Sequence, residues 1–266
     1  TKFWINKKIL ITGHSGFKGS WMSILLKKLG SNISGISLKP KTQPNMYDML
    51  GRGLFDKDLF LDIKDLNKCK KAIQEIAPEI IFHMAAQPLV KESFINPVNT
   101  FQTNIMGTVN ILEACREVNS IKSIIVVTSD KCYENIEKNY AYKETDKLGG
   151  FDPYSGSKGC AEIVASSYFR SFFLEKKIGL ATVRAGNVIG GGDWSENRLI
   201  PDMVKALYKG EELKIRNPHS VRPWQFVLEP LIGYLTLCEK NWEDYSNFSG
   251  AWNFGPEVGL KITVGE

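Results

Sequence analysis

A short apolar run, Lys8-Ile-Leu-Ile-Thr12, passes directly into Gly13-His-Ser-Gly16-Phe-Lys-Gly19, and that turn opens a helical pattern over residues 20–29 closed by Gly30. Glycines at these places permit a tight strand-to-helix turn. They also let the backbone approach a pyrophosphate, which sits on the helix N-terminus. A glycine triplet alone can be a merely structural turn; in the first βα unit of a chain it points to a dinucleotide site. The alternation then continues. Strands are expected at 32–38, 59–62, 80–84, 124–128 and 180–184. Helices are expected at 66–77, stopped by Pro78, at about 97–118, and from Tyr154 to about 175. Strands separated by helices of this length imply an α/β fold, a Rossmann-type doubly wound parallel sheet with helices on both faces. Beyond Gly190 the pattern changes to loops rich in Gly, Trp and Pro around one clear helix, 200–209. We read residues 1–185 as a nucleotide-binding domain. Residues 186–266 read as a smaller, partial substrate-binding lid interleaved with the last sheet strands. The chain starts without methionine and stops as a new helix begins at 262–266, so a missing C-terminal portion is expected.

Composition narrows the function classes. The 266 residues are 43% hydrophobic and 24% charged with a net charge of +5, as in ordinary globular proteins. A lysine-rich solvated surface explains that charge as well as an anionic small molecule does. No basic run with interleaved aromatics suggests a nucleic-acid surface. No signal peptide is recognised, and no apolar run is long enough to span a bilayer, so neither nucleic acid nor membrane is an expected partner. The five cysteines are odd in number and form no CxxC pair, which suits a reducing, cytoplasmic setting. No metal site is expected, because no Cys/His/Asp cluster has ligand spacing.

The candidate site residues follow from the fold. The acidic residue expected about 20 positions after the glycine turn is missing. The second strand ends instead at Ser37-Leu-Lys-Pro40, where Lys39 could meet a 2′-phosphate, so the residues leave NAD and NADP open. Asp62 is placed near an adenine, or as an N-cap for a segment from Lys64. Ala85 and Ala86 offer small residues where backbone passes a cofactor, or where helices pack tightly. His83 reads as a packed strand-end residue, and His14 as facing solvent or phosphate. Thr128-Ser-Asp-Lys-Cys-Tyr133 closes a strand, and Tyr154-Ser-Gly-Ser-Lys158 places a tyrosine and a lysine on one helix face. An ammonium beside a phenol favours the phenolate, which makes Tyr154 a candidate base. Ser129, Asp130 and Lys131 then suggest chemistry beyond oxidation. Arg222 is either a surface salt-bridge partner or a bidentate diphosphate ligand. Trp194 and Trp224 are core residues or border the substrate.

These stretches resemble the extended short-chain dehydrogenase/reductase family, and within it the CDP-glucose 4,6-dehydratase branch. The glycine turn and YxxxK identify only the broad family. Ser129-Asp-Lys-Cys-Tyr-Glu134, Arg184-Ala-Gly-Asn-Val-Ile-Gly-Gly-Gly-Asp-Trp194, Arg198-Leu-Ile-Pro201, Ile215-Arg-Asn-Pro218 and Arg222-Pro-Trp-Gln225 are more specific. The resemblance implies an NAD-dependent hydro-lyase acting on the nucleotide sugar CDP-glucose. Its steps would be oxidation at C4, loss of water across C5 and C6, and return of hydride to C6. It implies that Gly13, His14, Gly16, Phe17 and Gly19 cradle the cofactor. Asp62 and Ile63 would flank its adenine, and Ala85, Ala86 and Asn104 would line its groove. Ser129, Asp130, Lys131, Tyr154 and Lys158 would be catalytic, with Lys131 as the C5 base and Asp130 as the acid for the departing 6-hydroxyl. Tyr154 and Lys158 would also touch the cofactor, and Asn187, Arg198, Leu199 and Arg222 would hold the nucleotide sugar. Dehydratases acting on dTDP-glucose carry Asp-Glu where this chain has Asp130-Lys131, which favours the CDP branch. The resemblance also implies a role in deoxysugar and lipopolysaccharide O-antigen biosynthesis, and a homo-oligomer built on the helices near 97–118 and 155–175. The competing readings are a nucleotide-sugar 4-epimerase, which needs no acid–base pair at 130 and 131, and a non-catalytic dinucleotide-binding protein.

Overall fold

The computed structural model describes every residue except 1, 52, 137–139, 214, 216, 223, 257–262 and 266. The first half contains β1 (Lys8–Thr12), α1 (Phe17–Lys28), β2 (Asn32–Ser37), β3 (Lys57–Phe60), α2 (Leu66–Ile76) and β4 (Ile80–His83). After them come α3 (Val90–Ile95), α4 (Pro97–Phe101), α5 (Gly107–Cys115), β5 (Ser123–Val127), α6 (Pro153–Tyr168) and β6 (Gly179–Ala185). The remainder contains β7 (Val188–Ile189), α7 (Leu199–Lys209), β8 (Gln225–Phe226), α8 (Leu228–Glu243), α9 (Tyr245–Phe248) and β9 (Gly250–Phe254). The main sheet has seven strands in the order β3-β2-β1-β4-β5-β6-β9, and every pairing in it is parallel. Strand order reverses between β1 and β4. The crevice at the carboxyl ends of these two strands is where an open α/β sheet binds its ligand.

The inner strands feed both faces of the sheet, because successive side chains point in opposite directions. Leu10, Ile81, Ile124 and Leu180 join the core beneath α2, α5 and α6. Ile9, Ile11, Ile80, Phe82, Ile125, Ala181 and Val183 join the opposite core, with Trp4 and the buried sides of α1 and α8. Burial on both sides is why these strands read as continuous apolar runs. Each fully buried Ile or Leu of this kind contributes about 1.5–3 kcal/mol relative to exposure.

Three elements differ from the sequence reading. The single helix expected over 97–118 is interrupted. A π-helical turn, Gln102–Met106, separates α4 from α5, and α3 precedes them. A second π-helical turn, Phe169–Phe173, ends α6. After 190 one helix was expected, yet α8 packs on β5 and β6, and β9 extends the sheet beside β6. Pro230 lies in the first turn of α8, where proline is tolerated. Val227, Leu231, Tyr234, Leu235 and Cys238 then form the buried stripe. Of the helix expected to begin at 262–266, residues 262 and 266 lie outside the described residues, and 263–265 are not helical: Thr263 makes an antiparallel bridge with Val221, and the Val264 and Gly265 amides donate to the Ser220 and Pro218 carbonyls, both at 2.9 Å. Arg216 and Pro223, in two of the specific strings, also lie outside them.

Candidate active site

The glycine turn lies against the end of β4. Gly13 has φ +78°, and a Cβ there would sit 2.7 Å from the Ala85 amide nitrogen. A Cβ on Gly19 would strike the Gly13 carbonyl. Glycine is therefore required at both ends of the turn. Gly16 is the N-cap of α1 and no side chain caps that helix, so its positive end is open to an anion. The Thr12 hydroxyl accepts from the Met84 and Ala85 amides, both at 3.1 Å, and so joins β1 to the Ala85-Ala86 segment. His83 Nδ1 is 2.7 Å from the same hydroxyl, and its Nε2 is 3.1 Å from Thr108 Oγ1. Burial, and then the charge of Lys158, pushes His83 down to about 3. It is the neutral, packed strand-end residue expected.

Four cofactor-site expectations change in detail. His14 does not face solvent or phosphate. Its ring is fully buried among Tyr47, Phe55 and Phe60, packs on Gly35, and pairs through Nε2 with Asp58 at 2.8 Å. Burial lowers its pKa despite Asp58. His14 thus braces the turn from behind. Asp62 accepts from the Lys64 amide at 2.9 Å as a local turn at the end of β3, whereas the N-cap of α2 is Asp65, which accepts from the Lys68 amide at 3.1 Å. The Ile63 side chain is a buried core group against Gly107, which leaves its backbone for the expected place beside the adenine. Asn104 sits in the π-helical turn. Its Oδ1 accepts from the Gln87 amide at 2.8 Å, and its Nδ2 donates to the Gln87 carbonyl at 3.1 Å and to Ser157 Oγ at 2.8 Å. The amide ties the 85–87 loop to α6 and shapes the groove without facing it.

The catalytic candidates converge beyond the end of β5. Ser129 caps the short turn Asp130–Cys132, with its hydroxyl accepting from the Lys131 amide at 3.2 Å. That hydroxyl also donates to Asp130 Oδ1 at 3.0 Å, and Lys131 Nζ lies 3.5 Å from the same oxygen. Tyr154 enters from the first turn of α6, which is capped by Asp152 and carries Pro153 at its start. Burial raises the Tyr154 pKa; Lys131 and a hydrogen bond from Ser129 act against it. The ammonium that favours the phenolate is therefore first that of Lys131, where Lys158 was expected. Lys158 instead donates to the Val127 carbonyl at 3.1 Å, and burial takes its pKa down to about 8, with Glu162 opposing.

Lys18, in the first turn of α1, is a residue that the sequence reading passed over. Burial takes it down to about 8, and the charges acting on it are those of Arg198, Asp130, Lys158 and Lys131. Lys18 thus feels three other cations and one carboxylate. A lysine inside a glycine turn that opens a helix was the signal for it. Arg198, at the start of α7, is held 3.2 Å from the buried Asp193, and Leu199 follows it on the helix. The Asn187 carbonyl accepts from the Gln225 amide at 3.1 Å where β7 meets β8. Arg222 is exposed and donates to the neighbouring Val221 carbonyl at 3.0 Å. Trp224 lines a cavity of about 610 Å³ with Gln225, Asn253 and Phe254. Trp194 is partly buried with its Nε1 enclosed. Among the described residues, no group of His, Cys, Asp and Glu could hold a metal ion.

The arrangement supports proton transfer at a hydroxyl, by Ser129 and Tyr154, beside an acid–base pair, Asp130 and Lys131, within a cationic groove. A family model described as GDP-mannose 4,6 dehydratase matches residues 10–252. The chain is 47% identical over 259 residues to CDP-glucose 4,6-dehydratase of Salmonella typhimurium, covering 96% of this chain and 72% of that protein. It is 33% identical over 205 residues to CDP-paratose 2-epimerase of Salmonella typhi, covering 69% and 58%. Among solved structures, an epimerase of Methanothermobacter thermautotrophicus superposes with a TM-score of 0.85 at 22% identity, covering 99% of this chain and 75% of that one. The dTDP-glucose 4,6-dehydratase of Streptomyces venezuelae, solved with NAD and TYD, superposes at 0.82 with 21% identity, covering 96% and 77%. At these identities the superpositions establish the fold.

Proposed function

We propose, from the premise that the chain belongs to the GDP-mannose 4,6 dehydratase family whose model it matches, that it is an NAD-dependent hydro-lyase converting CDP-glucose to CDP-4-dehydro-6-deoxy-glucose. The observation that carries this reading is the Asp130–Lys131 pair in one cleft with Ser129 and Tyr154. A 4-epimerase would need the hydroxyl, the phenol and Lys158 but not an adjacent acid and base.

The turn from Gly13 to Gly19 and the uncapped start of α1 fit a dinucleotide pyrophosphate, with Thr12, Ala85 and Ala86 forming the wall beside it. Bound there, NAD would supply a two-electron store that accepts a hydride and gives it back. The protein's own groups handle the protons. Tyr154 takes the proton of the sugar 4-hydroxyl, which Ser129 orients, and Lys131 and Arg198 favour the phenolate. A ketone at C4 acidifies the hydrogen at C5. The Lys131 ammonium and the Asp130 carboxylate lie 3.5 Å apart, and transfer of a proton from Lys131 to Asp130 gives the free amine and the acid. Lys131 then takes the C5 proton, and Asp130 gives its own to the 6-oxygen, which leaves as water, so the ion pair is restored. C6 receives the hydride back, C5 takes a solvent proton, and Tyr154 releases the one it took. Lys18 and Arg198 suit the substrate diphosphate, and Asn187, Leu199 and Arg222 belong to its proposed binding surface. In this reading residues from 186 onward, chiefly α7 and the β7–β8 pair, serve as the substrate lid.

The same reading extends to assembly and location. Phe94, Ile95, Val98 and Ile163 are each more than half exposed on α3, α4 and α6. They offer an apolar face for a second copy of the chain. All five cysteines are free, which fits a cytoplasmic enzyme. No helix among the described residues is long and apolar enough to cross a membrane. A place in deoxysugar and O-antigen synthesis follows from the product. Incubating the full-length protein with CDP-glucose and NAD tests the function. Loss of one water with an alkali-sensitive 4-keto chromophore supports it, and a product of unchanged mass replaces it with epimerisation.

A further inference from the structure

We propose that the buried Glu162–Arg184 ion pair is a clamp that sets the position of Asp130 and Lys131, making Thr128, Tyr133, Glu162 and Arg184 positioning residues for the elimination step. Both ionised side chains are 3% exposed and 2.8 Å apart. Glu162 lies on α6, one turn after Lys158, and Arg184 lies on β6. One Glu162 oxygen accepts from the Thr128 hydroxyl, and the other accepts from Thr182 Oγ1 at 2.6 Å. Arg184 Nη1 donates to the Tyr133 hydroxyl at 2.7 Å and to the Glu144 carbonyl at 3.1 Å. The guanidinium carbon lies 4.9 Å from the centre of the Tyr133 ring, and the Tyr133 hydroxyl donates to Asn253 Oδ1 at 2.7 Å. The pair therefore grips the residue just before Ser129 and the residue just after Cys132.

This placement separates a clamp from a purely stabilising bridge. A buried ion pair is weak support for stability, since apolar groups of similar volume often serve as well. Here its hydrogen bonds end on the two flanks of the catalytic segment. The side chains of Asp130 and Lys131 are 34% and 39% exposed, and their contacts are with each other and with Ser129. Nothing in those contacts fixes where the two groups point into the cleft. Their direction comes from the backbone, which these bonds hold at Thr128 and Tyr133 and which the Gly149 amide holds at the Cys132 carbonyl, at 2.9 Å. A displacement of about 1 Å at such a site lowers a rate on the order of a hundredfold.

The inference rests on the function proposed above, so its test has one readout that depends on turnover and one that does not. Thr128→Val and Tyr133→Phe each remove one grip and leave the Glu162–Arg184 pair in place. In the full-length enzyme with NAD and CDP-glucose, Tyr133→Phe is expected to lower kcat about ten- to a hundredfold with KM little changed. Reduced cofactor should accumulate at 340 nm, because C4 oxidation outruns the mispositioned elimination. Independently, amide hydrogen exchange over 129–133 should quicken about tenfold in both variants while β4 and β5 stay protected. Variants that melt at lower temperature yet keep wild-type kcat and wild-type exchange over 129–133 overturn the clamp. If the wild-type enzyme turns over no CDP-glucose, the functional reading falls, and unchanged exchange in the variants would still refute the clamp by itself.

Discussion

Lys158 offers a stability test that runs against its expected importance for activity. Its side chain is buried, and desolvation takes its pKa from the ordinary 10.5 to about 8, although Glu162 and Cys132 act in the opposite direction. The folded state therefore holds this proton less firmly than the unfolded chain does. At pH 7, well below both values, the charged form is destabilised by roughly 2.5 pKa units, or about 3 kcal/mol. As pH rises through about 8 the folded lysine becomes neutral. By pH 10 only about 1 kcal/mol of the penalty remains. Lys158→Met keeps the aliphatic stem and removes the ammonium. It also loses the hydrogen bond to the Val127 carbonyl, a cost of about 1 kcal/mol that does not depend on this titration. The difference in stability between variant and wild type should thus favour the variant by about 2 kcal/mol more at pH 7 than at pH 10. At about 2–4 °C per kcal/mol for a chain of this size, that is a change of about 4–8 °C in the Tm difference. Thermal unfolding of both proteins at the two pH values measures it. A Tm difference independent of pH, or one favouring the variant more at pH 10, refutes the burial argument.

The other predictions concern the site and its supports. Lys131→Ala should still oxidise C4, giving bound reduced cofactor at 340 nm, but should form little 6-deoxy product; a normal rate of that product removes Lys131 from its role. Glu162→Leu leaves Arg184 buried without its carboxylate and should lower unfolding free energy by about 3–5 kcal/mol in denaturant titration; a loss under 1 kcal/mol contradicts the network. Because burial raises the Tyr154 pKa and the phenolate is the base, kcat/KM should climb with pH across the neutral and mildly alkaline range. A Tyr154→Phe enzyme with comparable turnover would exclude it. Val98→Asp places a charge on the exposed apolar face and should shift the light-scattering mass toward one chain, whereas an unchanged mass moves the interface elsewhere.

Much of the fold was legible because burial on both faces of the sheet writes itself as short apolar runs. Ile9, Ile11, Ile80, Phe82 and Ile125 could not serve a one-sided sheet. The glycine turn was equally legible, since Gly13 and Gly19 answer to steric contacts between β1, α1 and the end of β4. What escaped depended on partners distant in sequence. The break at 102–106 contains no proline or glycine, and only Gly107 follows it. It exists alongside the bonds by which Asn104 holds Gln87 and Ser157 across the groove. α8 went unread behind the Gly-, Trp- and Pro-rich loops, although the stripe from Val227 to Cys238 has helical spacing. At the site, the spacing of Tyr154 and Lys158 placed both on one helix face. It could not show that Lys158 bonds a strand carbonyl while Lys131 is the leading positive influence on the phenol. His14 was misread because Asp58, its partner, comes from a strand two places away in the sheet.

The central claim is that one site oxidises C4, eliminates water across C5 and C6, and delivers the same hydride to C6. Turnover of CDP-glucose deuterated at C4, carried out in ordinary water and followed by NMR of the product, tests it most directly. The account predicts a 4-keto-6-deoxy sugar carrying the deuterium at C6, with a solvent proton at C5. Deuterium retained at C4 of an unreduced or epimerised hexose, or a 6-deoxy product without label at C6, would contradict it.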